Sequence, residues 1–248
     1  MLIRRLVPTA LAALVAAASL AGCTGNPDNT GPLPDAGGLV DTAAERLRGL
    51  TDVSFHFRSN GALPGLPVRE VEGTASREGG PDGTAEGEAD VQAPAGRTQY
   101  TFDLDGETLR LTDPDEADAP AVERTVPEAF APARLLDPER GLRQLLLAAT
   151  DLRTETREDL ADVETYRVGG GLAHDAIAAV VPTVHDDVSV KFWIAPGTGR
   201  LMRVWVQVPP RQKNEGAVQL ELALTRHNDT GATQRQRVPS GGSSPSTR

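Results

Sequence analysis

The sequence has little of what usually carries chemistry. A single cysteine, Cys23, stands among 248 residues, so no disulfide can close within the chain and no cysteine-built zinc site is available. The four histidines, His56, His174, His185 and His227, show no HExxH spacing and are expected at solvated positions. There is no GxSxG elbow, and "HDDVS" at 185–189 sets His, Asp and Ser too close in sequence to stand for a triad. "DPDEAD" at 113–118 fails as a calcium loop, with Asp118 where the EF-hand glycine belongs and Arg124 at its twelfth position. "GGG" at 169–171 lacks dinucleotide spacing and reads as a strand-ending turn. No catalytic residue, metal or cofactor follows from these residues, and an enzyme is not expected.

Positive charge is scarce as well. The 25 basic side chains, all but Lys191 and Lys213 being arginine, face 35 acidic ones for a net charge of −10. Such a chain repels nucleic acid at long range. Few lysines beside many Ala, Gly, Pro and Asp residues suggest a GC-rich coding bias and, weakly, an actinobacterial source.

What is there begins at the N-terminus. Arg4 and Arg5 precede an apolar run, Leu6 to Ala18, interrupted only by Pro8 and Thr9. Those are the lengths and flanks of a secretory signal, too short for a lasting membrane span. Leu20-Ala21-Gly22-Cys23 then matches the bacterial lipobox, whose thiol is alkylated by a diacylglyceryl group before cleavage leaves the cysteine as the new N-terminus. Residues 1–22 are thus expected to be a signal peptide and 23–33 an acylated flexible tether. The same reasoning places a folded domain over 34–227 and a polar, Gly/Ser/Pro-rich disordered tail over 228–248. The expected location is the outer face of the cell membrane, within the envelope, held by the lipid anchor.

Periodicity organises the domain. Leu39, Val40, Ala43, Ala44, Leu47 and Leu50 recur at helical spacing, which predicts an amphipathic helix over Asp35–Leu50. Val53, Phe55 and Phe57 then alternate with polar residues, "LPGLP" at 63–67 turns the chain, and strands are expected at 68–77, 83–92, 97–104 and 107–112. Asp137 as N-cap and Pro138 at the first helical position predict a second helix through Leu142, Leu145, Leu146 and Ala149. Strands at 151–157 and 163–169, a short helix at 173–181, and strands at 188–194, 201–208 and 217–226 complete about ten strands and three helices.

Taken at period two, one face of this sheet presents Val53, Phe55, Phe57, Tyr100, Phe102, Leu104, Leu109, Leu111, Val190, Phe192, Ile194, Val204, Val206, Leu220, Leu222 and Leu224. That face is smooth, apolar and almost without hydrogen-bonding groups. Two readings stay open on periodicity alone. The face lines a pocket suited to acyl chains, or it is an ordinary core packed by the helices. Only nine aromatic residues are available to fill the interior to native density.

"LPGLPV" after a "VSFHF" strand, "DLDGETLRLT", "LLDPERGL" and "VKFWIAPGTGRLMRVWV" stand in the same order as in the LppX/LprA/LprF/LprG family of mycobacterial lipoproteins, which the chain resembles over about 33–227. The resemblance implies an α+β, LolA-like fold, a strongly curved antiparallel half barrel wrapped around helices with a hydrophobic cavity between. It implies binding and transfer of multi-acylated lipids or glycolipids of the triacylglycerol, phosphatidylinositol mannoside or lipoarabinomannan type, and work beside a major-facilitator-type transporter. Two stretches depart from that pattern. The loop after Thr112 is acidic where an aromatic-bearing stretch is expected, and the strand Thr84–Ala93 carries Glu86, Glu88 and Asp90 on one face. They leave the head-group preference open. A carrier predicts a continuous apolar cavity of well over about 500 Å³. A cargo-free envelope module that supports a transporter or cell-wall complex predicts a small cavity, or none, and an exposed apolar patch.

Overall fold

Asp35 opens the fold as an N-cap, its carboxylate accepting from the Gly38 amide at 2.7 Å. Helix α1, Ala36–Arg48, follows with Leu39, Val40, Ala43, Ala44 and Leu47 on one buried face, as the 3.6-residue period requires. This computed structural model describes residues 31–78, 82–93, 96–116 and 118–228. The signal segment, Cys23 and almost all of the expected tether and tail lie outside them.

Six strands come next: β1 Asp52–Asn60, β2 Val68–Ser76, β3 Thr84–Ala93, β4 Gly96–Asp105, β5 Thr108–Thr112 and β6 Val122–Thr125. Two short helices, α2 Pro132–Leu135 and α3 Leu142–Leu147, lead to β7 Thr150–Leu160 and β8 Val163–Leu172. Helix α4, His174–Ala178, then precedes β9 Val188–Ala195, β10 Arg200–Val208 and β11 Val218–Thr225. The strands form one antiparallel sheet in the order β6-β5-β4-β3-β2-β1-β11-β10-β9-β8-β7. The two ends of that order are not paired to each other, so the sheet is an open half barrel.

Three of the expected local structures need correction. The "GGG" stretch at 169–171 is not a strand-ending turn but lies within β8, paired with β9. The helix expected from Asp137 begins only at Leu142, because Gly141 has a non-helical backbone, φ −92° and ψ −141°, and lies so close to the Leu135 carbonyl that a Cβ there would collide with it. Asp137 instead caps a turn, accepting from the Glu139 amide at 2.7 Å. Strand β6 was not expected at all. Its four residues are all exposed, so no apolar alternation marks them, and pairing with β5 alone makes them a strand.

Curvature comes from small residues. Gly73 of β2 is paired directly with Gly87 of β3, and a Cβ on Gly87 would lie 2.7 Å from the Gly73 Cα. Strands this close can bend sharply only without side chains. The bend is seen again where the β1–β2 turn reaches the segment after α4, a Cβ on Gly65 falling 2.8 Å from Thr183 Cγ2. On a flat sheet β11, β10 and β9 would separate them. At the other end, Asn228 locks the corner between α1 and β1. Its Oδ1 accepts from the Thr51 amide at 2.8 Å and its Nδ2 donates to the Gly49 carbonyl at 2.6 Å.

Helix α1 packs inside the sheet against β7, β9, β10 and α3, while α2 touches β2 and β3. Among the described residues no helix is long and apolar enough to cross a membrane.

Candidate functional site

Strand pairing fixes which side chains share a face, because directly opposed residues project to the same side. Tyr100, Ala89, Val71, Phe57, Leu222, Val204, Phe192 and Val168 are opposed in sequence from β4 to β8. One apolar row therefore crosses eight strands. A parallel row runs Leu111, Phe102, Gly87, Gly73, Phe55 and Leu224. Leu109, Leu104 and Val53 sit two residues along from the second row, and Val206, Val190 and Leu220 two residues along from the first. Ile194 opposes Leu201 on the same side. All of the apolar positions expected on one face are thus brought together on one face.

They do not share one environment. On β9, β10 and β11 the face is sealed: Phe192 and Ile194 are fully buried, and Val190, Val204, Val206 and Leu220 are 1 to 5 % exposed. From β1 to β5 the face is partly open, with Phe55, Phe57, Val71, Val91, Tyr100, Leu109, Leu111 and, on β11, Leu222 only half-buried. Val53, Phe102 and Leu104 are buried at the end of this side nearer α2. Helix α4 and the residues after it leave Ala176, Val180 and Val181 half-buried. The sheet's inner face is therefore core on one half and an apolar trough on the other.

Two hollows stand out among the described residues, of about 300 and 380 Å³, the first walled by polar residues and the second by polar residues together with Val188, Pro209 and Pro210. The first includes Arg58, Arg69, Glu70 and Arg97 in its wall. The second lies by Asp187, Ser189 and Gln207. Neither is lined by any of the expected cavity residues, and the apolar cavity of well over about 500 Å³ that a carrier predicts is not among them.

The outer face is charged. Glu86, Glu88 and Asp90, noted from the sequence as a polar side of β3, alternate with the inner Ala85, Gly87 and Ala89. Trp193 lies between Arg203 and Arg167, at 5.4 and 6.0 Å from ring centroid to guanidinium carbon, and donates to Glu158 Oε1 at 3.0 Å. Trp205, opposed to Lys191 and Glu221 and with the Lys191 ammonium 5.8 Å from its ring centroid, is on the same side, so both tryptophans serve the outer face, not the trough.

The histidines are dispersed. His56 Nε2 is 2.6 Å from Glu70 Oε1, whose carboxyl is held below its usual range first by that bond and then by Arg58. Asp187, within the HDDVS stretch, accepts from the His174 backbone amide at 2.9 Å. His227 overturns the expectation of a solvated position. It is buried, and burial, followed by the Arg200 cation, pulls its pKa down to about 4. Among the described residues no three His, Cys, Asp or Glu side chains are gathered to hold a metal.

The sequence reading missed Val71, Ala89 and Val91, which complete the trough. Their signal was present: V-x-G-x-A in β2 and A-x-G-x-A-x-V in β3 alternate as cleanly as the Phe-bearing strand, but with side chains too small to stand out.

Residues 35–228 match the model of the LppX_LprAFG lipoprotein family. The chain belongs to that family. Its relatives include a protein of Mycolicibacterium hassiacum named lipoarabinomannan carrier protein LprG, 33 % identical over 84 % of this chain and 89 % of that one. The protein of the same name from Mycobacterium leprae is 28 % identical over 72 % of this chain and 74 % of its own. Among solved folds of LppX_LprAFG members, Mycobacterium bovis LprF aligns with a TM-score of 0.64 at 18 % identity over 79 % of this chain and 94 % of that one. Mycobacterium tuberculosis LppX aligns with 0.57 at 16 % identity, over 79 % and 97 % respectively. The half barrel is thus the fold of the family.

Proposed function

We propose that this LppX_LprAFG lipoprotein is a carrier for multi-acylated lipids or glycolipids in the cell envelope. The observation that carries the reading is the unbroken apolar row from Tyr100 to Val168, sealed at Val204, Phe192 and Val168 on β10, β9 and β8 and half-open at Leu222, Phe57, Val71 and Tyr100 on β11, β1, β2 and β4. Its relatives named lipoarabinomannan carriers support the class of cargo. Acyl chains would enter at the open half and lie against Phe57, Val71, Tyr100 and Leu222, with Phe55, Phe102, Leu109 and Leu111 beside them. A 16-carbon chain costs roughly 13 kcal/mol to expose to water at about 0.8 kcal/mol per methylene, so unassisted transfer between membranes is very slow. A protein surface that replaces the water along the chain lowers that barrier with no covalent step, and no catalytic residue is needed.

Residues 1–22 would be removed as a signal, and the two acyl chains on Cys23 would hold the protein on the outer face of the cell membrane, two chains being enough for stable anchoring. Residues 23–33 would then give the domain reach, and a major-facilitator-type transporter is the partner proposed for moving cargo onward. One observation favours the second reading, a cargo-free module that supports such a complex: neither of the two hollows that stand out among the described residues is walled by the apolar row.

A vesicle assay separates the two. Donor vesicles carrying a self-quenched diacyl phospholipid should lose label to unlabelled acceptors at least tenfold faster when the protein is added. A rate equal to the protein-free control rejects the carrier and leaves the interaction module.

A further inference from the structure

We infer that the outer face of β9–β11, from Trp205 to the hollow beside Ser189, is a binding surface for a neutral polysaccharide chain. It lies on the opposite side of the sheet from the apolar row, so it is separate from any cargo in the trough and does not depend on the carrier reading.

Register is the first argument. Val204 and Val206 of β10 belong to the inner face, so Trp205 and Gln207, which alternate with them, point outward. Gln207 is opposed by Ser189 of β9 and by Gln219 of β11, and Gln219 is opposed in turn by Asn60 of β1. Three amides and a hydroxyl therefore line up across four strands. Neighbouring strands stand about 4.8 Å apart, close to the length of one pyranose ring, so successive sugars laid along this row meet successive side chains. Trp205 stands beside the row and is half-buried, which leaves ring surface for the apolar C–H face of a sugar. On β9 and β10 the row ends in the hollow of about 380 Å³, whose wall includes Asp187, Ser189 and Gln207 with Pro209 and Pro210.

Charge is the second. The cations of this face are already matched. Lys191 and Arg167 share Glu155 at 3.1 and 2.7 Å, and Arg203 pairs with Glu221 at 3.4 Å. No excess positive charge remains to hold an anionic polymer, and the net charge of −10 repels one at long range. The uncharged groups are in the opposite condition. The side chains of Asn60, Ser189, Gln207 and Gln219 make no hydrogen bond among the described residues. Each amide offers two donors and an acceptor, and the hydroxyl donates and accepts. Sugar hydroxyls, which also do both, match that mixture. Asp187 adds a carboxylate at the hollow, one oxygen of which takes the His174 amide at 2.9 Å while the other is left to accept from a ligand.

Native affinity electrophoresis of the full chain tests this surface. Gels are cast with a mannan, a galactan or a dextran as neutral probes free of acyl chains, and with dextran sulfate as the anionic one, and unfolding midpoints are recorded for every variant. At least one neutral polymer should retard the wild type, and more strongly than dextran sulfate does. Trp205→Ala should weaken that affinity about tenfold, and Gln207→Ala, which loses one set of hydrogen bonds, about fivefold. Trp205→Phe, which keeps a ring, should stay within about threefold of the wild type. No retardation of the wild type in any neutral gel overturns the surface. Undiminished retardation of Gln207→Ala and Trp205→Ala at unchanged midpoints overturns its placement on this face. Stronger retardation in dextran sulfate overturns the neutral-glycan assignment in favour of an electrostatic contact.

Discussion

Gly73 and Gly87 face each other across β2 and β3, in the row that joins Phe55 to Phe102, and neither has room for a side chain. A Cβ on Gly73 would meet the Gly87 Cα at 3.1 Å and the Glu86 carbonyl carbon at 3.0 Å. The pair does two things at once: it lets the sheet fold over on itself, and it leaves the trough floor bare between two phenylalanines.

Gly87→Val should therefore destabilise the domain by about 2 to 3 kcal/mol, since backbone rather than a flexible side chain must yield. Urea unfolding followed by circular dichroism reads this directly. A midpoint unchanged within error would mean that the close approach of the two strands is not required for the curve.

The two halves of the inner face should respond differently to substitution. Phe192→Ala, at a fully buried position, is expected to cost about 3 to 5 kcal/mol of stability. Phe57→Gln with Leu222→Gln, opposed residues of the half-open side, should cost only about 1 kcal/mol each yet reduce lipid transfer severalfold. Transfer that survives the double change intact would remove the trough from the binding path.

His227 sets a pH dependence. Its folded pKa of about 4 lies below the unfolded value of about 6.5, so the unfolded chain takes up a proton that the folded one refuses. Stability is full above pH 6.5 and is lost as pH falls towards 4, by on the order of 2 kcal/mol once partial screening is allowed for. Glu70, Asp90 and Glu155, held below their usual range by hydrogen bonds and ion pairs to neighbouring side chains, add a further loss that sets in near pH 4.5, at the bottom of that window, and continues below it. His227→Leu should flatten the curve between pH 6.5 and 4 in denaturant titrations. A slope identical to the wild type would place the titrating group elsewhere.

Much of this was legible because the inner face is marked by period two. The meander from β1 to β5, the face shared by Phe55, Phe102 and Val204, and the first helix follow from alternation and spacing. What was not legible came from contacts distant in sequence. Strand β6 exists by pairing alone, and the break at Gly141 depends on the Leu135 carbonyl. His227 looked polar and terminal until the fold buried it. Whether Phe57 and Phe192, identical in pattern, end as trough or core is decided by where the helices sit, and no local signal encodes that.

Cys23→Ala should abolish acylation and move the protein from the membrane fraction to the soluble or secreted one in its host. The mass of the N-terminal peptide, with and without the diacylglyceryl thioether, checks this. Retention in the membrane at wild-type level would reject Cys23 as the anchor.

The most direct test of the carrier is native mass spectrometry of residues 33–248, exported from its own host without the anchor and kept free of detergent. The account predicts a main species heavier than the polypeptide by one multi-acylated lipid, released and identified on activation. A bare polypeptide mass under the same gentle conditions would contradict it.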